Sequence, residues 1–354
     1  MGGHAGNLAL AAALWAGIAT ASAQPAQPLP GHSAPVPLDA PSAVIANGLI
    51  TARVYMADPV HGFYRGTRFD QSGVIGSLLL RGQGGRGQDF YGPWFDRVSD
   101  DVHDYVYAPE GIVAGRDSAI SGPVEEFAPL GFDAAAPGGT FVKIGVGVLK
   151  RPDAAAYDHY RHYEIVDAGR RDVHVTKNAV TFTQTVRDAA YGFRYVKTLR
   201  LLPGKPQMRI EHVLTNLGRE PIVTTVYDHN FLKLSPGNAD VVITLPFAVV
   251  PGAPPDPALV KVAGNRIAYV RALKDKERAS FPIGGFSGTV QDYDIRVDDT
   301  KTGAGMRVTA DQPLSDLHFW SIRSVMAIEP YIAIDIPPGG TKRWSYTYTY
   351  AARR

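Results

Sequence analysis

The stretch MRIEHVLTNLGREPIVTTVYDHNFLKL, residues 208–234, decides the fold. Its first part alternates apolar and polar side chains, with Ile210 and Leu214 on the apolar side. Such alternation is typical of a strand with one buried face, because successive side chains of a strand point to opposite sides. A turn follows at 216–218 (NLG), and a second apolar run then ends on the polar triplet 228–230 (DHN). The stretch therefore predicts a strand, a turn and a second strand.

The rest of the chain repeats this pattern. The segment WSYTYTY, residues 344–350, places its aromatic residues on one face and its serine and threonines on the other. Turn-forming residues recur between short apolar runs, and the pattern of long amphipathic helices is nearly absent. Only the segment 251–280 is expected to contain one helical turn. We therefore predict an all-β antiparallel architecture with a single domain over residues 46–354.

The first residues are expected to precede this domain. Residues 1–23 contain an apolar stretch that ends in Ala21, Ser22 and Ala23, which is the pattern of a signal peptide and its cleavage site. A membrane anchor is the alternative, but the apolar run is short for a membrane span. Residues 24–45 are rich in proline and alanine, which predicts a disordered lead-in. These features predict a periplasmic or secreted protein that is not bound to a membrane after signal removal.

The composition excludes several classes of protein. The chain has 354 residues, no cysteine and a formal net charge of +2, with basic residues scattered among acidic ones. Disulfides, thiolate zinc sites and cysteine nucleophiles are thereby excluded. The sequence also lacks the stripe of clustered basic residues that is typical of a nucleic-acid-binding protein, so no nucleic-acid partner is expected.

Two residues combine useful chemistry with a notable position. His229 follows an apolar strand and lies between two turn-forming residues, so it could be an ordinary loop residue or a general acid at the mouth of a pocket. Glu329 lies within an otherwise apolar strand. A carboxylate in such surroundings is either salt-bridged or has a raised pKa and a function. An acid and a base of this kind are what proton transfer at a sugar carbon requires.

Other histidines have a plainer interpretation. His212 and His318 lie in strand-like runs, where core packing is expected. His159 and His162 are three residues apart among tyrosines. Metal ligands can use that spacing, but an aromatic loop that lines a pocket is an equal alternative.

Three segments together resemble the aldose 1-epimerase (galactose mutarotase) family. They are the run 208–234 with its ending at His229, the segment IEPYIAIDIPPGGTKRWSYTY with Glu329, and the early hairpin FYRGTRFDQSGVIGSLLLRG. The resemblance covers roughly residues 50 to 350 in order. It implies a large antiparallel twisted β-sandwich, the galactose mutarotase-like supersandwich, with a concave sugar cleft.

The resemblance also implies a mechanism. His229 would protonate the ring oxygen and Glu329 would remove the proton of the anomeric hydroxyl, without a cofactor or a metal. We expect these two side chains to face each other across one cleft, about a sugar ring apart.

The sequence departs from the family at the positions that grip the sugar. The family's earlier substrate-gripping histidine has no counterpart here, and charged residues occupy the corresponding segments. We predict a substrate-binding set that consists of Arg65, Arg68, Glu125, Glu126, Lys143, His159, His162 and Trp94. The expected ligand is a mono- or oligosaccharide, and the expected assembly is a monomer or a weak dimer.

Two other functions fit parts of the sequence. A polysaccharide lyase, or another carbohydrate-cleaving enzyme on the same fold, needs a cation for a uronate carboxylate and a histidine or tyrosine base. Arg65, Arg68, Lys143, His159, His162 and Tyr160 could supply these groups. A non-catalytic sugar-binding module would use aromatic platforms such as Trp94, for which core packing is the other interpretation. The resemblance favours the anomerase.

Overall fold

The computed structural model describes residues 40–58, 61–82, 87–92, 106–108, 111–113 and 120–351. Within these ranges the chain forms antiparallel strands and two short 3₁₀ turns, Pro236–Asn238 and Val290–Asp292, and no α-helix. The prediction of an all-β antiparallel architecture is confirmed. The segment 251–280 forms short strands and turns. Its counterpart to the predicted helical turn is one turn in which the backbone N–H groups of Leu259 and Val260 donate to Asp256 O. No helix in the described ranges is long and apolar enough to cross a membrane.

The larger main sheet has ten strands, numbered here along the chain. In spatial order they are β11 (Arg170–Val175), β12 (Ala179–Val186), β13 (Phe193–Leu201), β14 (Gln207–Asn216), β25 (Thr341–Ala351), β22 (Gly305–Ala310), β21 (Asp294–Asp299), β16 (Val241–Thr244), β19 (Arg266–Tyr269) and β18 (Val260–Ala263). Two neighbouring strands inside this sheet, β14 and β25, are the segments that alternate most clearly in the sequence.

The second main sheet has six strands. In spatial order they are β17 (Val250–Pro251), β20 (Ala279–Gly284), β23 (Asp316–Ser321), β24 (Met326–Ile336), β15 (Ile222–Phe231) and β7 (Gly122–Phe127). Three small sheets complete the described structure. The first has the order β1 (Ser42–Ala46), β2 (Ile50–Tyr55), β3 (Ile75–Leu80) and β4 (Gln88–Asp89), and the second has the order β10 (Ile165–Asp167), β9 (Gly147–Lys150) and β8 (Thr140–Lys143). The third pairs β5 (Val106–Ala108) with β6 (Gly111–Val113).

The first strand begins inside the segment predicted to be disordered. β1 pairs with β2 from Ser42 onward, and Ile45 is fully buried in the main core. The boundary at residue 46 is therefore corrected to an earlier position, because the apolar side chains near the end of the lead-in pack against the sheet. The predicted signal peptide, residues 1–23, lies outside the described residues.

The run 208–234 connects the two main sheets. β14 belongs to the ten-stranded sheet and β15 to the six-stranded sheet, so the turn between them crosses from one layer to the other. Met208, Ile210 and Leu214 are fully buried on the inner face of β14. Phe127 of β7 contacts Trp344 of β25 with ring centroids 6.3 Å apart, which places the core between the two sheets. This arrangement is the predicted β-sandwich.

Candidate functional site

The outer face of the six-stranded sheet forms the floor of a cleft of about 260 Å³. Along β15, Tyr227, His229 and Phe231 line the cleft, while the residues between them point toward the core. Glu329 and Tyr331 of β24 line it in the same way. Period-two alternation therefore gives one strand a core face and a cleft face.

His229 and Glu329 lie opposite each other on neighbouring strands. Tyr227 pairs with Tyr331 in the ladder between β15 and β24, and an isolated bridge farther along keeps the same register. That register sets His229 beside Glu329, and His229 Nε2 lies 3.3 Å from Glu329 Oε1. The two side chains are neighbours on the floor of the cleft, so the expectation that a sugar ring separates them is wrong. His229 also lies within β15 and not beyond the end of the strand.

Glu329 is a buried carboxyl group with an altered acidity. Burial raises its pKa to about 8, against the opposing effect of Arg68, and Glu126 raises it further. The sequence allows a salt bridge or a raised pKa for Glu329, and the structure combines a raised pKa with the contact to His229. Near neutral pH Glu329 therefore keeps a proton that an exposed glutamate would release.

Aromatic rings fix the orientation of His229. The imidazole stacks on Phe231 with ring centroids 3.7 Å apart. The rings of Phe69 and Trp320 meet it edge-on, each with centroids 5.8 Å away. Because the ring is held between these partners, its Nε2 stays directed at Glu329.

A buried ionic cluster supports one side of the cleft. Glu126 of β7 lies opposite Tyr227 in the ladder, so both side chains point to the cleft face. Its carboxylate is 2.9 Å from Arg68 Nε and 3.1 Å from Lys143 Nζ. His159 Nδ1 lies 3.6 Å away. Burial alone would raise the pKa of Glu126, but Lys143 and Arg68 hold it well below its usual value.

This cluster brings together four of the predicted substrate-binding residues. Arg68 and His159 line the cleft itself. Glu126 and Lys143 lie behind them and hold them in place, with the Lys143 side chain fully buried. The pKa of Lys143 is lowered by burial, although Glu126 counteracts this effect.

Glu125 points to the opposite face of the sheet. In the ladder it lies opposite Asp228, and both side chains are fully buried in the core. His212 Nε2 lies 2.9 Å from the Glu125 carboxylate, and Lys197 also pairs with it. Burial would raise the pKa of Glu125, but His212 and Lys197 together lower it to about 2. The prediction that Glu125 contacts the substrate is corrected, whereas core packing of His212 is confirmed.

The remaining predicted residues do not join this site. Arg65 is half-buried and His162 is exposed, and neither lines the cleft, so their contact with a substrate stays a prediction. Trp94 lies outside the described residues, and its role stays a prediction. In the ranges that the structure describes, no group of three or more His, Cys, Asp or Glu side chains could hold a metal ion.

The sequence patterns do not predict two other residues that line the cleft. His318 and Trp320 of β23 share the cleft face, and Phe319 between them is buried. His318 lies opposite Glu329 in the ladder, and its Nε2 lies 2.9 Å from Ser280 Oγ. The prediction of core packing for His318 is wrong, because β23 has a core face and a cleft face.

Solved structures share this architecture at low sequence identity. A galactose mutarotase-like protein from Lactobacillus casei matches with a TM-score of 0.52 and 13% identity, covering 88% of this chain and 100% of that chain. This chain has the galactose mutarotase-like fold. At this identity the likeness establishes the galactose mutarotase-like fold and no activity.

Two further structures are similar. A galactose mutarotase-like protein from Clostridium acetobutylicum has a TM-score of 0.49 at 11% identity, covering 87% of this chain and 94% of that chain. An aldose epimerase homologue from C. elegans has a TM-score of 0.46 at 14% identity, covering 88% of this chain and 100% of that chain. No family model matches the sequence. No curated protein matches it either.

Proposed function

We propose that the protein interconverts the anomers of an aldose by acid–base catalysis in this cleft. The observation that carries the proposal is the contact of 3.3 Å between His229 Nε2 and Glu329 Oε1 on the cleft floor. Opening a pyranose ring requires that one proton leaves the anomeric hydroxyl and another reaches the ring oxygen. Both oxygens are bonded to the same carbon, so an acid and a base on neighbouring strands suit this task.

The proton transfers follow from this geometry. The Glu329 carboxylate takes the proton of the anomeric hydroxyl while protonated His229 delivers its proton to the ring oxygen, and the bond between that oxygen and the anomeric carbon breaks. Rotation about the next carbon–carbon bond presents the other face of the aldehyde. Glu329 then returns its proton to the carbonyl oxygen, His229 takes back the hydroxyl proton, and the ring closes.

The environment of Glu329 supports its role as a base. A pKa of about 8 makes its carboxylate a stronger proton acceptor than an exposed glutamate. After ring opening Glu329 is protonated and His229 is neutral. This uncharged pair is the state that a buried site favours.

The walls of the cleft support a sugar as the ligand. Trp320, Phe231, Tyr331 and Tyr160 all line it. Aromatic faces pack well against the apolar faces of sugar rings, and the volume suits a small ligand.

The test is a direct measurement of anomer exchange. Pure anomers of a panel of aldoses are followed by polarimetry and by exchange NMR, with His229→Gln and Glu329→Gln as the test variants. We expect accelerated exchange for at least one aldose and a loss of about 100-fold or more in each variant. His174→Gln and Glu164→Gln, both exposed and outside the cleft, are the matched controls. Equal rates in the test and control variants would disprove the assignment.

A polysaccharide lyase is the second candidate, and the position of Arg68 in the cleft favours it. Arg68 donates from its guanidinium to Tyr227 OH at 3.1 Å, which is the pairing of cation and tyrosine that uronate lyases need. However, burial raises the pKa of Tyr227 well above its usual value, and the nearby Arg68 only partly opposes this. The Tyr227 phenol therefore stays protonated near neutral pH and is not available as a base, so we rank the lyase second. A rise in ultraviolet absorbance with uronate polymers would reverse the order.

We also propose that the protein is exported as a monomer or weak dimer after cleavage behind Ala23. The basis is the apolar segment with small residues at 21–23. Mass spectrometry of the mature amino terminus tests the cleavage, and light scattering tests the assembly.

A further inference from the structure

Glu329 lies between two histidines in one row across the sheet. His229 of β15 lies beside it on one side, and His318 of β23 lies directly opposite it on the other side. Residues directly opposite in an antiparallel ladder have Cβ atoms about 5 Å apart and share a face. All three side chains line the cleft.

The histidines of the cleft have different partners. His229 is paired with Glu329, and His159 is paired with Glu126. His318 instead has the hydroxyl of Ser280 as its hydrogen-bond partner, at 2.9 Å from Nε2. That contact orients the ring, and Nδ1 is the second hydrogen-bonding atom of this cleft-lining imidazole. Burial lowers the pKa of His318, which Asp316 partly counteracts, so the imidazole is neutral near pH 7 and suits an uncharged hydroxyl group.

The order of the row matches the order of oxygens on a sugar. In the proposed mechanism His229 serves the ring oxygen and Glu329 serves the hydroxyl on the anomeric carbon. Moving along the row from His229 through Glu329, the next group is His318. Moving along the sugar from the ring oxygen through the anomeric carbon, the next polar group is the hydroxyl on carbon 2.

We propose that His318, oriented by Ser280, binds the hydroxyl on carbon 2 of the sugar and so selects for that hydroxyl. This inference rests on the proposed function of the cleft. In this proposal, β23 binds the sugar next to the reacting carbon. The upstream segment SGPVEEFAPLG, residues 121–131, contains no histidine that could bind it.

The test measures binding without catalysis. Methyl glycosides cannot open their rings, so their affinity is independent of any anomerase activity. The methyl glycosides of several aldohexoses are titrated by calorimetry, and the tightest binder is then compared with its 2-deoxy analogue. In the wild-type protein the parent glycoside should bind about fivefold tighter than the 2-deoxy glycoside, because one hydrogen bond is lost. His318→Ala should reduce this ratio to about one by weakening only the parent, and Ser280→Ala should reduce it in part.

The controls separate this inference from the proposed function. His174→Ala, at an exposed histidine outside the cleft, should keep the wild-type ratio. A His318→Ala variant that weakens both ligands equally, or neither, overturns the role of His318. Selective binding without anomer exchange would overturn the proposed activity and keep the role of His318. A cleft that binds none of the glycosides would overturn both.

Discussion

Replacing Glu329 with glutamine should change how the stability of the protein depends on pH. Burial raises the pKa of Glu329 from 4.5 to about 8 in the folded protein. The folded state therefore keeps a proton that the unfolded state releases over this range. Such a group contributes stability that is fully present below pH 4.5 and is lost as the pH rises toward 8. Glutamine does not titrate, so the variant lacks this loss.

The size of the effect follows from the same interval. From 4.5 to about 8, at about 1.4 kcal/mol per pH unit, the wild type loses about 5 kcal/mol relative to Glu329→Gln. The contact of 3.3 Å with His229 reduces this figure wherever the imidazole is protonated, because it then stabilises the carboxylate. Since domains have about 5–15 kcal/mol of stability in total, the change is large enough to measure.

The assay is urea unfolding of both proteins between pH 5 and 9, followed by tryptophan fluorescence. Subtracting the two free energies of unfolding cancels the titrating groups that do not interact with Glu329. We expect the difference to move steadily in favour of Glu329→Gln up to about pH 8 and then to level off. Glu164→Gln, at an exposed position, should show no such trend. A difference that is flat, or that favours the wild type as the pH rises, would mean that Glu329 is an ordinary ionised partner of His229.

Three further variants test the core, each by urea unfolding. Glu125→Gln should destabilise the protein by up to about 3–5 kcal/mol at pH 7, because buried His212 loses its carboxylate and buried Lys197 keeps only Asp70 as a partner. The free energy of unfolding of Asp228→Asn should increase relative to that of the wild type as the pH rises above 3.8, because burial and the neighbouring Glu125 raise the pKa of Asp228. Gly145→Ala should cost about 2 kcal/mol or more, since this glycine has a φ of +82° and an added Cβ would lie 2.5 Å from a buried carboxylate oxygen. Unchanged stability in any of them would contradict the corresponding contact.

The strands could be predicted from the sequence because each main sheet buries one face. In β14 the fully buried residues Met208, Ile210 and Leu214 are those that the alternation selects. What alternation does not determine is the sheet to which a strand belongs. β14 and β15 follow each other across a short turn but lie in different layers, because β14 pairs with β25 and β15 pairs with β24.

The position of His229 shows where local propensity fails. Asp228 and Asn230 favour turns, so the sequence predicts that the strand ends before them. In the structure both are buried within β15 and point inward, where the Tyr348 hydroxyl is a hydrogen-bond partner of both side chains. Tertiary hydrogen bonds therefore replace the turn that these residues would otherwise favour. The hypothesis that His229 is a general acid does not depend on this turn alone, because it also rests on the apolar surroundings of Glu329.

Alternation in the sequence does not show which of the neighbouring side chains Glu125 and Glu126 points to the core and which points to the cleft. All six residues of β7 are buried, so the burial pattern of this strand gives no indication of which side chains face the core. Its ladder with β15 sends Glu125 inward to Lys197 and Glu126 outward to Arg68. A slip of one residue would reverse both directions. Both faces hold cations, so the ion pairs alone do not select the register. The same slip would also turn Phe127 away from Trp344 in the core, and this apolar contact favours the observed register of β7.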